Sequence, residues 1–258
     1  MLKEGTFEGK VAVVTGGGTG IGRAIASELS RTGASVALVS RKAEHLEEAA
    51  LAIRGAGGEA RTFPTDVRQP DQVEAMVKGV KESFGHIDIL VNAAAGNFIV
   101  DSDKLSVNGW NAVVGSVLNG TFYCTRACGL EMIGQGTGGK ILSIVASYAW
   151  TGGPRTLHSV AAKAGVVALT RTLAVEWAKH GIRVNALCPG PTDTEGARPL
   201  WADPAARERL LQNIPVGRFG NVLEVAHAAS YLLSPYADFV NGEVLVIDGG
   251  EWLGKGLA

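Results

Sequence analysis

Thr15-Gly16-Gly17-Gly18-Thr19-Gly20-Ile21-Gly22 stands directly after the β-branched run Val11-Ala12-Val13-Val14 and opens a helix-like stretch from Ile21 to Arg31. Glycines in such a turn let the backbone bend tightly and approach a pyrophosphate, while free N–H groups at the helix start attract negative charge. The position between a strand and an amphipathic helix, more than the glycines alone, marks a dinucleotide-binding turn. Its expected cofactor contacts are Gly16, Thr19, Gly20 and Ile21.

Outward from this turn the chain repeats the same alternation. Short apolar runs at Ser35 to Val39, Ile87 to Val91, Lys140 to Ile144, Arg183 to Leu187 and Val244 to Ile247 are separated by helical patterns. The helical stretches are Ala43 to Arg54, Asp71 to Phe84, Val160 to Lys179 and Leu223 to Leu233. Successive β-α-β units of this kind predict an α/β fold: a Rossmann-type, doubly wound parallel sheet of about seven strands with helices on both faces. A hydrophobic fraction of 46% and 35 glycines suit one such sheet, expected as a single domain over residues 1–258. The Pro-, Gly- and Thr-rich segment from about Gly190 to Ala206 reads as a loop or lid over a site.

Bulk charge narrows the partners. A formal net charge of −1 gives no case for nucleic acid or an anionic membrane surface. Cys124, Cys128 and Cys188 lie in apolar stretches and read as small core residues, with no metal site and no disulfide framework. No apolar run reaches the ~20 residues needed to span a bilayer. The first ten residues carry Glu4 and Glu8 and no signal-like run. A soluble, untargeted protein of the reducing cytoplasm is expected.

Cofactor choice is read at the end of the second strand. An NAD-preferring fold places a carboxylate there for the ribose 2′-hydroxyl, and this chain has Ser40-Arg41-Lys42 instead. A hydroxyl and an arginine suit a 2′-phosphate, so NADPH is expected over NADH. Asp66-Val67, just past the third strand, either holds the adenine amine or caps a helix, since Pro70 follows closely.

With Asn92-Ala93-Ala94-Ala95-Gly96, Lys163, Pro189-Gly190 and Asp248-Gly249-Gly250 in the same order, the chain resembles the short-chain dehydrogenase/reductase family over nearly its whole length. The resemblance implies cofactor contacts at Asn92, Pro189, Gly190 and Lys163, the last on the nicotinamide ribose. Yet the family's Asn-Ser-Tyr-Lys tetrad falls here at Val117, Ala146, Ser159 and Lys163, so only the lysine survives. Ser159 and Lys163 are four apart on one helix face. His158 is expected to point elsewhere. A serine nucleophile is disfavoured, because no G-x-S-x-G elbow surrounds Ser159 and acyl transfer leaves the nucleotide turn unexplained.

One branch shares these departures. Ala94-Ala95-Gly96-Asn97-Phe98, Val117-Leu118-Asn119-Gly120-Thr121, Ser147-Tyr148-Ala149, His158 to Gly165 and Pro189-Gly190-Pro191 resemble the 2,4-dienoyl-CoA reductases. That resemblance implies Tyr148 as the acid, paired with Asn97, an acyl-CoA substrate, NADPH, a place in unsaturated fatty acid β-oxidation, and a homotetramer. It also implies that Lys163 lowers the pKa of the phenol, with Ser159 bonding to a ligand or standing by. The chemistry agrees: hydride added to the far end of a conjugated dienoyl thioester pushes charge onto the thioester oxygen, which two donors can stabilise. Thr192 and Thr194 either bond the nicotinamide carboxamide or a phosphate, or cap the loop. Trp150 reads as acyl-pocket wall, and Trp252-Leu253 as an apolar pair for a partner to cover. The alternatives are a reductase of another enoyl thioester or enone, and a cofactor-binding protein without catalysis.

Overall fold

In the computed structural model, which describes residues 2–253, the chain forms one seven-stranded sheet in the order β3-β2-β1-β4-β5-β6-β7, and every pair is parallel. The strands are β1 (Val11–Thr15), β2 (Ser35–Ser40), β3 (Ala60–Pro64), β4 (Ile89–Asn92), β5 (Gly139–Ile144), β6 (Ile182–Pro189) and β7 (Val244–Ile247). The helices are α1 (Gly20–Arg31), α2 (Ala43–Gly55), α3 (Pro70–Phe84), α4 (Val107–Val114), α5 (Gly120–Gln135), α6 (Tyr148–Thr151), α7 (Leu157–Glu176), α8 (Pro204–Gln212) and α9 (Val222–Leu233).

Residues of β1 explain why its sequence lacks polar alternation. Ala12 and Val14 point into one core with Ile25, Leu29 and Leu232, while Val11 and Val13 point into another with Val77, Val80 and Met132. A strand covered on both faces needs apolar side chains throughout, and each valine so buried contributes about 1.5–3 kcal/mol. Helices α1, α2 and α9 supply the first core; α3 and α5 supply much of the second.

The expected elements form, with instructive shifts. β4 starts at Ile89 rather than Ile87 because Asp88 is used for something else: its carboxylate accepts from the Val11 amide and from Lys10 Nζ, both at 2.9 Å. Helix α7 begins at Leu157 and ends at Glu176, with Ala178–His180 turning as a 3-10 segment before Gly181 at φ 74°. The segment from 190 to 206 is less irregular than its composition suggests, since Arg198–Trp201 form a 3-10 turn and Pro204 starts α8. Helices α4 and α5 were not legible, and they run into one another through a π-helical turn at Gly115–Asn119.

The order reverses at β1, whose two neighbours are β2 and β4. Ligands of doubly wound sheets bind at that switch point, beyond the carboxyl ends of the strands.

Candidate active site

A cavity of about 540 Å³ opens at this point, floored by the glycine turn and walled by the ends of β2, β3 and β4. Gly16 and Gly22 can hold it only as glycines. Gly16 sits at φ 67°, where a Cβ would lie 2.8 Å from the Ala93 carbonyl, and a Cβ on Gly22 would come within 2.3 Å of the Gly16 carbonyl. Thr19 is the N-cap of α1 but its side chain makes no capping bond, so the first N–H groups of the helix are left to face a ligand. These features fit the pyrophosphate of a dinucleotide.

Gly16, Thr19, Gly20, Ile21, Ser40, Arg41, Asp66 and Val67 all line this one cavity. Asp66 does not cap α3, whose N-cap is Gln69. Its carboxylate instead accepts from Arg68 Nε at 2.9 and 3.0 Å and from the Arg68 amide at 3.1 Å. The Arg68 guanidinium holds that carboxyl below its usual range. His45 also joins the wall, with its Cβ 3.1 Å from where a Cβ on Gly18 would be. From the lid side, Thr194 reaches over to Gly20.

Other expected contacts lie elsewhere. Asn92 is buried, and its Nδ2 donates to Thr125 Oγ1 at 2.9 Å and to Ser143 Oγ at 3.4 Å, so its side chain braces β4 against α5 and β5 rather than lining the cavity. Pro189 ends β6, paired with Ile247. Gly190 packs on the Asp248 backbone, where a Cβ would fall 2.6 Å from Cα. Thr192 Oγ1 donates to the Gly190 carbonyl at 2.9 Å, the loop-forming alternative of its two readings. Gly190 and Thr192 face a separate cavity of about 300 Å³.

Beyond the end of β4, Asn97 lines the cofactor cavity. Its Oδ1 accepts from the Phe98 amide at 2.9 Å, which leaves Nδ2 as the donor end of the side chain. Across from this loop, Tyr148 begins α6 and its hydroxyl lies 2.9 Å from Ser159 Oγ on α7. The two loops are tied together. Val100 N donates to the Arg155 carbonyl at 3.0 Å, Arg155 Nε pairs with Asp101 at 3.2 Å, and Phe98 packs on His158 with ring centroids 4.3 Å apart. Arg155 is held at φ 66°, an uncommon conformation for a residue with a side chain, and it persists because these contacts fix it.

His158 is fully buried with its ring against Phe98, and burial lowers its pKa. Lys163 is 8% exposed and its Nζ donates to the Ile144 carbonyl at the end of β5. Burial brings its pKa down to about 8. The expected lowering of the phenol is not what the site produces. Tyr148 is raised by burial, and the Ser159 hydrogen bond opposes that only in part; Lys163 has no share in it. A neutral phenol is therefore kept as a donor.

Trp150 is 40% exposed and meets Trp252 edge-on at 5.8 Å. Trp252 is thus partly covered by its own chain, while Leu253 stays exposed. The three cysteines are buried and unbonded, and burial pushes the Cys124 and Cys188 thiols up to about 12. Among the described residues no cluster of metal ligands occurs, and no helix is long and apolar enough to cross a membrane. His45, which reads in the sequence as a surface or cap residue, lines the cavity, and Arg68 and Arg155 have no part assigned from the sequence. Of these only Arg68 had a signal, as a basic residue two positions past the carboxylate.

A glycine turn at the switch point of a doubly wound parallel sheet defines a Rossmann-class nucleotide-binding fold. The comparisons make this specific: the chain belongs to the short-chain dehydrogenase/reductase family, and a family profile described as Enoyl-(Acyl carrier protein) reductase matches residues 16–251. A Bacillus subtilis protein named "Probable 2,4-dienoyl-CoA reductase [(2E)-enoyl-CoA-producing]" is 44% identical over 96% of this chain and 98% of its own length. The peroxisomal 2,4-dienoyl-CoA reductase of Rattus norvegicus, named as (3E)-enoyl-CoA-producing, is 43% identical over 96% of this chain and 85% of its own. Among solved structures, a short chain dehydrogenase from Bacillus anthracis is 46% identical with a TM-score of 0.87, covering 94% of this chain and 96% of that one. A gluconate 5-dehydrogenase from Burkholderia cenocepacia, solved with NADP and tartrate, is 35% identical with a TM-score of 0.90 over 95% of both chains.

Proposed function

We propose that this chain reduces 2,4-dienoyl-CoA thioesters to an enoyl-CoA with NADPH, in the cytoplasm, as a step in the oxidation of unsaturated fatty acids. The observation that carries the reading is the Tyr148 hydroxyl, seated 2.9 Å from Ser159 where the usual tyrosine of the family is missing. The names of the relatives support the substrate class. Arg41 and Lys42 give the cavity the positive character that a 2′-phosphate requires, with the Ser40 hydroxyl beside them.

When bound, NADPH supplies a hydride to the far end of the conjugated system. Tyr148 and the Asn97 amide donate hydrogen bonds to the thioester oxygen, on which the negative charge of the dienolate gathers, and a raised phenol pKa keeps the first of these protonated. Tyr148 then passes a proton to the carbon skeleton, directly or through water. Lys163 would hold the nicotinamide ribose hydroxyls once the cofactor is bound, and Ser159 keeps the phenol aimed. Trp150 lines the acyl path. The working assembly is a homotetramer, whose contacts would cover exposed Phe239, Tyr236 and Leu253.

The test is NADPH consumption by Tyr148→Phe against wild type with a dienoyl-CoA. Loss of kcat with unchanged cofactor affinity is expected, and full activity in the variant removes the mechanism. A second reading, reduction of a simple enoyl thioester, is favoured by the description of the matching family profile. Comparing trans-2-enoyl-CoA with dienoyl-CoA as substrates separates the two.

A further inference from the structure

Asp66 and Arg41 line one cavity, and they carry opposite charges. If they paired, the arginine would be spent on a carboxylate instead of a phosphate. Arg68 stands between these outcomes. Its Nε reaches both Asp66 oxygens, its Nη2 a further position on Oδ2, and its main-chain amide Oδ1. A carboxylate offers about four acceptor positions, so this chelate fills it. Among the described residues no carboxylate pairs with Arg41 or Lys42, although Arg41 is close enough to help lower the Asp66 pKa. The stem of Arg68 is seated as well, with Cγ and Cδ 3.7 Å from the point where a Cβ on Gly115 would be.

We propose that Arg68 is a positioning residue for cofactor choice: by saturating Asp66 it leaves Arg41 free for the 2′-phosphate that distinguishes NADPH from NADH. This rests on the NADPH reading above. The residue acts through another and forms no part of the reacting centre. Without it, the Asp66 carboxylate turns to Arg41, and a negative charge faces the phosphate.

Calorimetric titration of NADPH and of NADH into wild type, Arg68→Ala, Asp66→Asn and the double variant tests this, with steady-state KM and kcat beside it. Arg68→Ala is expected to weaken NADPH about tenfold, the size of one lost charge-assisted hydrogen bond, with NADH and kcat little changed. The double variant, having no carboxylate to misdirect Arg41, is expected to regain the wild-type ratio of NADPH to NADH affinity to within about threefold. Arg68→Lys keeps the stem and the charge but not the fork, and should fall between. Three results overturn the proposal: no loss in Arg68→Ala, equal loss for both cofactors, or a double variant whose preference for NADPH stays reduced, which would mean Arg68 touches the phosphate itself. A wild type that prefers NADH overturns the cofactor reading directly, before any variant is made.

Discussion

The two ends of the cleft are built from different materials. At the glycine turn after β1 the nucleotide end is built from main chain, with unspent N–H groups of α1 and glycines that admit no Cβ. Over β4 and β5 the proposed reactive end is built from side chains: Asn97 on the loop after β4, Tyr148 on α6, and Ser159 and Lys163 on α7. A main-chain site cannot move without rebuilding the turn. A side-chain site can. Here the phenol comes from α6 instead of α7, yet its hydroxyl meets Ser159, the position from which a phenol would otherwise have projected.

The sharpest way to break that contrast is to strip the reactive end. Tyr148→Phe combined with Asn97→Ala should lower kcat by about 10³ or more, since one oxyanion donor alone is worth about 10²–10³, while NADPH affinity stays near wild type. If cofactor binding fell in step, the two ends would not be separable. Next in size, Gly22→Ala forces a Cβ to within 2.3 Å of the Gly16 carbonyl and should cost about 1–3 kcal/mol of stability in thermal unfolding. Cofactor affinity should fall with it, and a dienolate analogue should still bind the reactive end.

Protonation of Lys163 sharpens the comparison along the pH axis. Its pKa falls from 10.5 to about 8, so the folded protein loses a proton that the unfolded chain keeps. Between those values the unfolded chain binds more protons, and this group makes stability rise with pH. Cofactor binding runs the other way: affinity should weaken above about pH 8 as the ammonium is lost, and Lys163→Arg should remove that limb. The smallest effect is expected for Ser159→Ala, a fall in kcat of about fivefold, matching one net hydrogen bond of ~1 kcal/mol. Loss of all activity there would make Ser159 more than a guide for the phenol.

The nucleotide end was legible in the chain because its requirements are conformational. Only glycine fits Gly16 and Gly22, and the strand before and the helix after declare themselves by period. Tyr148 and Asn97 are singled out only through resemblance, because a lone hydroxyl and a lone amide carry no local pattern. Asn92 shows the limit of that resemblance: it stands in a familiar stretch, yet its side chain holds strands together. Helix α5 was missed for a different reason. It is buried against the sheet through Cys124, Cys128 and Met132, and it carries Gly129 where the Trp177 ring packs, so its sequence lacks a plain polar face. Arg68 and Arg155 matter through what they hold, and such roles exist only once the chain is folded.

The π-helical turn at Gly115–Asn119 sets the phase between two helices that would otherwise be one. An α-helix advances about 100° per residue, so a single extra residue rotates everything after it. Ala112 and Val113 before the turn, and Ser116 within it, line the cavity; after it, Thr125 faces Asn92 and the sheet. Deleting one residue there would leave both helices intact and swing one of those faces out of alignment. The cavity wall and the sheet brace would then compete for the same side of a single cylinder.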